Sequence, residues 1–279
     1  MVQSYDLHTH STASDGTLTP TELVDLATEK GIEVLALTDH DTLDGYVEAK
    51  KQADNNKISL ISGVEISISW NKRTIHMVAL NLDVNSPDLL EGLSKAGEFR
   101  QWRAEEISRS LEKKGIHHAL NGAKKYSKGN IVSRTHFARY IVELGLCKNV
   151  RNVFKHYLVN RKPGFVAGQW VDFETALRWV KQAGGVAVIA HPSRYKLTRK
   201  KLTECLGEFV ECGGIGLEVL SGSHSRDENF AMAHLAKQMN LFSSCGSDYH
   251  GPTNPYLDLG RLPQFPDGCV PIWQADEWQ

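Results

Sequence analysis

The sequence predicts an α/β fold, a seven-stranded barrel with its helices outside and a small helical insertion. Three observations carry this. Short apolar runs alternate with helical stretches over the first ninety or so residues and again after about residue 166, the order expected of parallel strands covered by helices. Histidines and carboxylates recur directly after these runs, as on the catalytic face of a β/α barrel. The middle third has no such alternation and reads as an all-helical insertion over residues 100–165, leaving 1–99 and 166–279 to the barrel. An open doubly wound sheet is the alternative, but it gathers ligands at one switch point instead of around a ring.

Each element has a local reason. A strand at Tyr5 leads into D-L-H-T-H-S. T-P-T-E then opens a helix, with Thr19 as cap, Pro20 in the first turn, Glu22 at the capping-box position and Gly31 as its stop. A strand from Val34 to Leu37, a helix from about Leu43, a strand from Leu60 to Val64 and a hairpin-like partner from Thr74 to Leu80 follow, with a break at Asn71 and Lys72. The stretch from Ser86 to Lys114 is helical, rich in Glu, Lys and Arg, with Leu89, Leu93, Ile107 and Leu111 on one side. A polar stretch from Asn121 to Gly129, a helix from Ser133 to Leu144 and a short helix from Val150 to Val159 complete the insertion. Alternation resumes with helices from Asp172 to Ala183, Thr198 to Cys212 and Ser225 to Asn240, between strands at Val186 to Ala190, Ile215 to Leu220 and Leu241 to Cys245.

Composition excludes several classes. The 279 residues suit one large domain with an insertion, and the net charge of −1 offers no global basic surface, so any nucleic acid must be gripped locally. The five cysteines form no C-x-x-C pair, which argues against a disulfide framework or a zinc ribbon. No apolar stretch reaches membrane-spanning length and no signal peptide is evident, so a reduced cytoplasm is the expected setting, with no membrane and no obligate protein partner.

Strand alternation sends His8 and His10 to one face, where they can hold one ion together. Asp15 follows in the loop. T-D-H-D delivers Asp39, His40 and Asp41; Glu65, His76, His191, Asp248 and His250 follow or end later runs. Singly, each has a plainer reading: His76 as a core histidine, Asp39 and Asp41 as helix caps, Asp15 and His191 as turn residues. Jointly they would crowd like charges on one rim unless cations neutralise them. Imidazole and carboxylate without thiolate suits manganese, iron or zinc, and Glu65 could bridge two ions. Paired ions generate hydroxide at neutral pH and clamp the oxygens of a phosphoryl centre, so hydrolysis by metal-bound hydroxide is the default chemistry.

In that order, D-L-H-T-H-S, T-D-H-D, Glu65, A-H-P and G-S-D-Y-H closely resemble the polymerase and histidinol phosphatase (PHP) family of metal-dependent phosphoesterases. The resemblance implies a distorted seven-stranded β/α barrel holding two to three divalent ions. One would sit on His8, His10 and Asp248 with Glu65 bridging, a second on Asp15, His40 and His250, and a third on Glu65, His76 and His191. Many members carry histidine where this chain has Asp15, a departure that makes the second site more oxygen-rich and favours manganese.

The insertion motif N-I-V-S-R-T-H-F, with Arg134 and His136 near a helix start, together with Arg194 in H-P-S-R-Y and His224 in S-G-S-H, is similar to one subgroup. That subgroup removes phosphate from nucleoside 3′,5′-bisphosphates, and its relatives, described as ribonuclease AM, trim short 5′-phosphorylated RNA from the 5′ end. A helix amino terminus plus Arg134 would make an anion site away from the metals. The plainer reading is a capped surface helix with Arg134 solvated. A small-phosphomonoester phosphatase of the histidinol phosphate type and a non-catalytic metal-binding module remain as alternatives. The general acid stays open among Asp39, His224 and metal-bound water.

Overall fold

The computed structural model describes residues 4–252 and 257–278. Its seven strands are β1 (Tyr5–Asp6), β2 (Val34–Leu37), β3 (Ser59–Trp70), β4 (Arg73–Leu80), β5 (Val186–Ile189), β6 (Gly216–Ser221) and β7 (Phe242–Gly246). They form one sheet in chain order. Pairing is parallel from β1 to β3 and from β5 to β7, and antiparallel where β4 meets β3 and β5. The sheet curls until its edges meet: Leu7 N–H donates to Cys245 O at 3.0 Å, Asp248 N–H to His8 O at 2.9 Å and His10 N–H to Tyr249 O at 3.0 Å. The seam leaves no room for a side chain at Gly246, where a Cβ would lie 2.2 Å from the His8 Cβ.

Strand alternation splits the apolar residues between two sides. Val34, Ala36, Val78, Leu80, Val186 and Val188 form one cluster with Leu7 and Ile272. Leu35 and Leu37 pack with residues of α1 (Pro20–Glu29) and α2 (Tyr46–Asn56). Val64, Ile66, Ile68, Met77 and Leu217 meet α7 (Phe173–Gln182), α8 (Arg199–Glu211) and α9 (Arg226–Gln238). The capping box at α1 is as expected, with Thr19 and Glu22 closing it reciprocally and Pro20 at the first position. The helix expected from Leu43 starts at Tyr46, because residues 42–45 turn on an Asp44 N–H to Thr42 Oγ1 bond of 3.1 Å.

The strand expected to end at Val64 runs on to Trp70, so Glu65 lies mid-strand. Parallel pairing with β2 stops at Ser62, and beyond it β3 pairs with β4 through a two-residue turn at Asn71 and Lys72, both at positive φ (44° and 60°). With Ile66 and Ile68 on the helix side, Glu65 and Ser67 face the other way.

The expected domain boundary at residue 100 falls inside α3 (Pro87–Glu112), a single 26-residue helix. Its first turns give Leu89 and Leu93 to the barrel cluster, and its last give Ala104, Ile107 and Leu111 to a separate cluster. That second cluster gathers α4 (Ala119–Lys124), α5 (Arg134–Glu143) and α6 (Val150–Val153) around Phe137 and Ile141. α4 occupies part of the stretch that reads as polar, and α6 continues as one π-helical turn, Phe154–Leu158.

Because the seam admits no Cβ, Gly246→Ala should cost ~1–3 kcal/mol of stability through overpacking and push His8 off its position. A lower thermal midpoint together with reduced metal content is expected; an unchanged midpoint would show that the seam yields freely.

Candidate metal centre

Glu65 is fully buried and sits among five histidines. Its Oε2 lies 3.3 Å from His8 Nε2, 3.3 Å from His10 Nε2 and 2.8 Å from His40 Nδ1, while Oε1 lies 2.7 Å from His76 Nδ1 and 2.9 Å from His191 Nε2. Asp248 Oδ1 completes one side, 3.6 Å from His8 Nε2 and 3.3 Å from His10 Nε2. On the other side Asp15 Oδ1 stands 3.2 Å from His250 Nε2 and 3.8 Å from His40 Nε2.

All nine residues expected as ligands meet on this rim. Their donor atoms form three overlapping groups, His8–Glu65–His191–Asp248, His10–Asp15–His40–His250 and His40–Glu65–His76, each within 4.8 Å. The grouping differs from the one the resemblance implies: His10 joins the Asp15 set, His191 joins His8, and His40 stands with His76.

The donor set fits metal ions by its unmet valences. His8 Nε2, His10 Nε2, Asp15 Oδ1, His40 Nδ1 and Glu65 Oε2 are all buried without a hydrogen-bond partner among the described residues. One such orphan costs stability, and five aimed at one place call for cations. Burial pushes His40 and His191 down to about 4, so both present the neutral imidazole a metal needs. For Glu65, burial favours the neutral acid, but His40, His76 and His8 outweigh it and hold the carboxyl well below its ordinary range.

Residues behind the ligands fix their aim. Glu218 Oε2 contacts His8 Nδ1 at 2.7 Å, both buried, and so orients the ring. Asp39, expected as a possible acid, accepts from Ser11 N–H (2.8 Å), Ser11 Oγ (2.6 Å) and Ser14 Oγ (2.6 Å), and holds the 11–16 loop instead of facing substrate. Asp41 accepts from Ser67 N–H at 2.7 Å and from Arg100 Nε at 2.7 Å.

A cleft of about 130 Å³ opens over the ligands and is walled by Arg100, Arg103, Arg134, Arg194, Phe154 and Trp170. Ser133 caps α5, its Oγ accepting from Thr135 N–H at 3.0 Å while donating to Asp15 Oδ2 at 2.9 Å. Arg134 follows, half-buried, 5.6 Å over the Phe154 ring. Burial and the neighbouring Arg100 lower its guanidinium to about 10, and burial with Arg134 and Arg100 lowers Arg103 to about 9. Cations pressed together in this way invite an anion. Arg194 lines the same cleft and pairs with Asp248.

Two expected substrate contacts lie elsewhere. His136 is 1% exposed, and its Nδ1 accepts from Ser133 N–H at 3.1 Å, so it completes the α5 capping box and does not line the cleft. Burial lowers it to about 4, leaving a neutral ring with no charge for phosphate. His224 lines a separate cavity, its Nε2 accepting from Ser193 N–H at 3.4 Å. Of the side chains considered for the general acid, neither Asp39 nor His224 lines the cleft. Arg100, Arg103, Trp170 and Glu218 were not anticipated. Glu218 alone left a local signal, a lone carboxylate in the apolar run G-L-E-V-L.

The barrel and this rim are those of a metal-dependent hydrolase. The chain belongs to the PHP domain family, whose model matches residues 6–183. It is 43% identical over 273 residues, 98% of this chain and 96% of the relative, to a 3′,5′-nucleoside bisphosphate phosphatase of Chromobacterium violaceum. It is 42% identical over 275 residues, 98% of this chain and 94% of the relative, to the 5′-3′ exoribonuclease Rnm of Escherichia coli. A solved structure from Chromobacterium violaceum, described as an amidohydrolase with bound sulfate and no metal, superposes with a TM-score of 0.93 at 43% identity, covering 97% of this chain and 94% of that one.

Glu65→Gln removes the charge shared by two of the three groups, so bound metal should fall to a small fraction of the wild-type content while the circular dichroism spectrum stays native. Elemental analysis of the purified variant checks it; full metal content would remove Glu65 from the centre.

Proposed function

We propose that the protein hydrolyses the 3′-phosphate of nucleoside 3′,5′-bisphosphates and trims short 5′-phosphorylated RNA in the 5′-3′ direction. One observation carries this reading: the histidine and carboxylate rim and the arginine cluster share a single cleft. A substrate with two phosphates can place one on each. The identities of the relatives agree, since one is a nucleoside bisphosphate phosphatase and another a 5′-3′ exoribonuclease.

His8, Glu65, His191 and Asp248 would hold one ion, His10, Asp15, His40 and His250 a second, and His40, Glu65 and His76 a third. Bound there, divalent ions supply hydroxide at neutral pH and polarise the phosphoryl oxygens. Imidazole and carboxylate donors with no thiolate suit manganese, iron or zinc, and the carboxylate of Asp15 in the second set favours manganese. The remaining work falls to the chain. Arg134 and Arg194 grip the second phosphate, Arg100 and Arg103 keep that wall positive, and Trp170 and Phe154, each under an arginine guanidinium, shape it. A small phosphomonoester would leave Arg134 and its wall unused. The five free cysteines suit a reducing cytoplasm as the site of action; no described helix is long and apolar enough to cross a membrane.

Arg134→Ala separates this reading from a small-phosphomonoester phosphatase. The variant should lose tens-fold in kcat/KM on a nucleoside 3′,5′-bisphosphate, roughly 2 kcal/mol of transition-state binding, and almost nothing on a generic aryl phosphate. Equal loss on both substrates, or none on either, contradicts the assignment.

A further inference from the structure

A second and larger cavity, of about 540 Å³, lies between the start of α9 and residues 261–267. It is a neighbour of the metal cleft: His224 lines it and accepts from Ser193 N–H at 3.4 Å, and the next residue, Arg194, lines the cleft. The Ser193–Arg194 pair thus adjoins both.

The chemistry of this cavity is unlike an ordinary surface dent. Phe230, 50% exposed, belongs to none of the hydrophobic clusters and turns its ring toward the Arg226 guanidinium, 5.7 Å away. Arg261 is exposed on the opposite wall. Asn229 also lines the cavity; it is 6% exposed, and its Oδ1 has no hydrogen-bond partner among the described residues. Asp267 adds an acceptor. An open aromatic face, two guanidinium groups, an amide with an unmet valence and a carboxylate together match one nucleotide: base on the ring, phosphate on the arginines, exocyclic amine and ribose 2′-hydroxyl on the polar groups.

We propose that this cavity is the downstream subsite for RNA, taking a nucleotide on the 3′ side of the phosphate that lies over the metal rim. The inference rests on the phosphoesterase reading above and extends it to chain length. A nucleoside bisphosphate ends at the rim and never reaches the cavity; a longer oligonucleotide passes the Arg194 turn and enters it. Length preference and bisphosphate turnover are therefore carried by different residues.

The test uses Phe230→Ala and the double variant Arg226→Ala/Arg261→Ala in the manganese-loaded enzyme. Binding of a 5′-phosphorylated hexaribonucleotide with phosphorothioate linkages is read by fluorescence anisotropy, and turnover of a nucleoside 3′,5′-bisphosphate is measured alongside. Each variant should weaken hexanucleotide binding about tenfold with bisphosphate kcat and KM unchanged, and the double variant should show a shallower salt dependence. Hexanucleotide affinity equal to wild type, or a loss matched on the bisphosphate, overturns the subsite. If wild type fails to turn over the bisphosphate while the variants still lose hexanucleotide affinity, the reaction assignment falls and the RNA surface stands.

Discussion

The burial of one carboxylate governs this structure. Glu65 has no exposed surface, and its neighbours within 3.3 Å are histidine nitrogens, not the backbone amides or guanidinium groups that usually stabilise such a charge. An uncompensated buried ion costs several kcal/mol, so the site calls for cations beside the carboxylate. Much of the barrel follows from that need. β3 must carry Glu65 into the interior from mid-strand, the seam between β1 and β7 must bring His8 and Asp248 together, and Gly246 must stay without a side chain for the seam to close.

The helical segment is registered to the metal rim by polar contacts at its edge. Asp15 turns Oδ1 toward His40 and His250 and accepts at Oδ2 from the Ser133 hydroxyl, while its backbone carbonyl accepts from Arg139 at 2.8 Å. Ser133 is also the cap of α5, so one hydroxyl sets both the loop bearing a ligand and the helix bearing Arg134. On the other flank α3 crosses from one core to the other, and Arg100 clamps Asp41 beside His40. The spacing between the arginine cluster and the histidine and carboxylate rim is thereby a property of rigid elements, which is what the proposed discrimination by the distance between two phosphates requires.

The candidate ligands were legible as a group because a barrel rim leaves a local trace: each histidine or carboxylate follows or lies in an apolar run, and the H-x-H and T-D-H-D patterns are compact. What stayed hidden depends on long-range geometry. Arg100 and Arg103 carry no motif, and their place in the cleft follows only from where a 26-residue helix crosses the rim. The run of β3 past Glu65 was readable in I-S-I-S-W, whose alternation buries Ile66, Ile68 and Trp70, but the charged residue interrupted the apolar pattern. His136 shows the opposite error. S-x-x-H at a helix start looks like a phosphate grip, yet at the third helical position the imidazole folds back on the Ser133 N–H, as glutamate does in the common capping box.

Anomalous diffraction from manganese-loaded crystals tests the central claim most directly, since it locates each ion without reference to activity. Two or more peaks are expected over the strand ends, with the two oxygens of Glu65 contacting different ions. A single ion, or several of which none touches Glu65, would contradict the account.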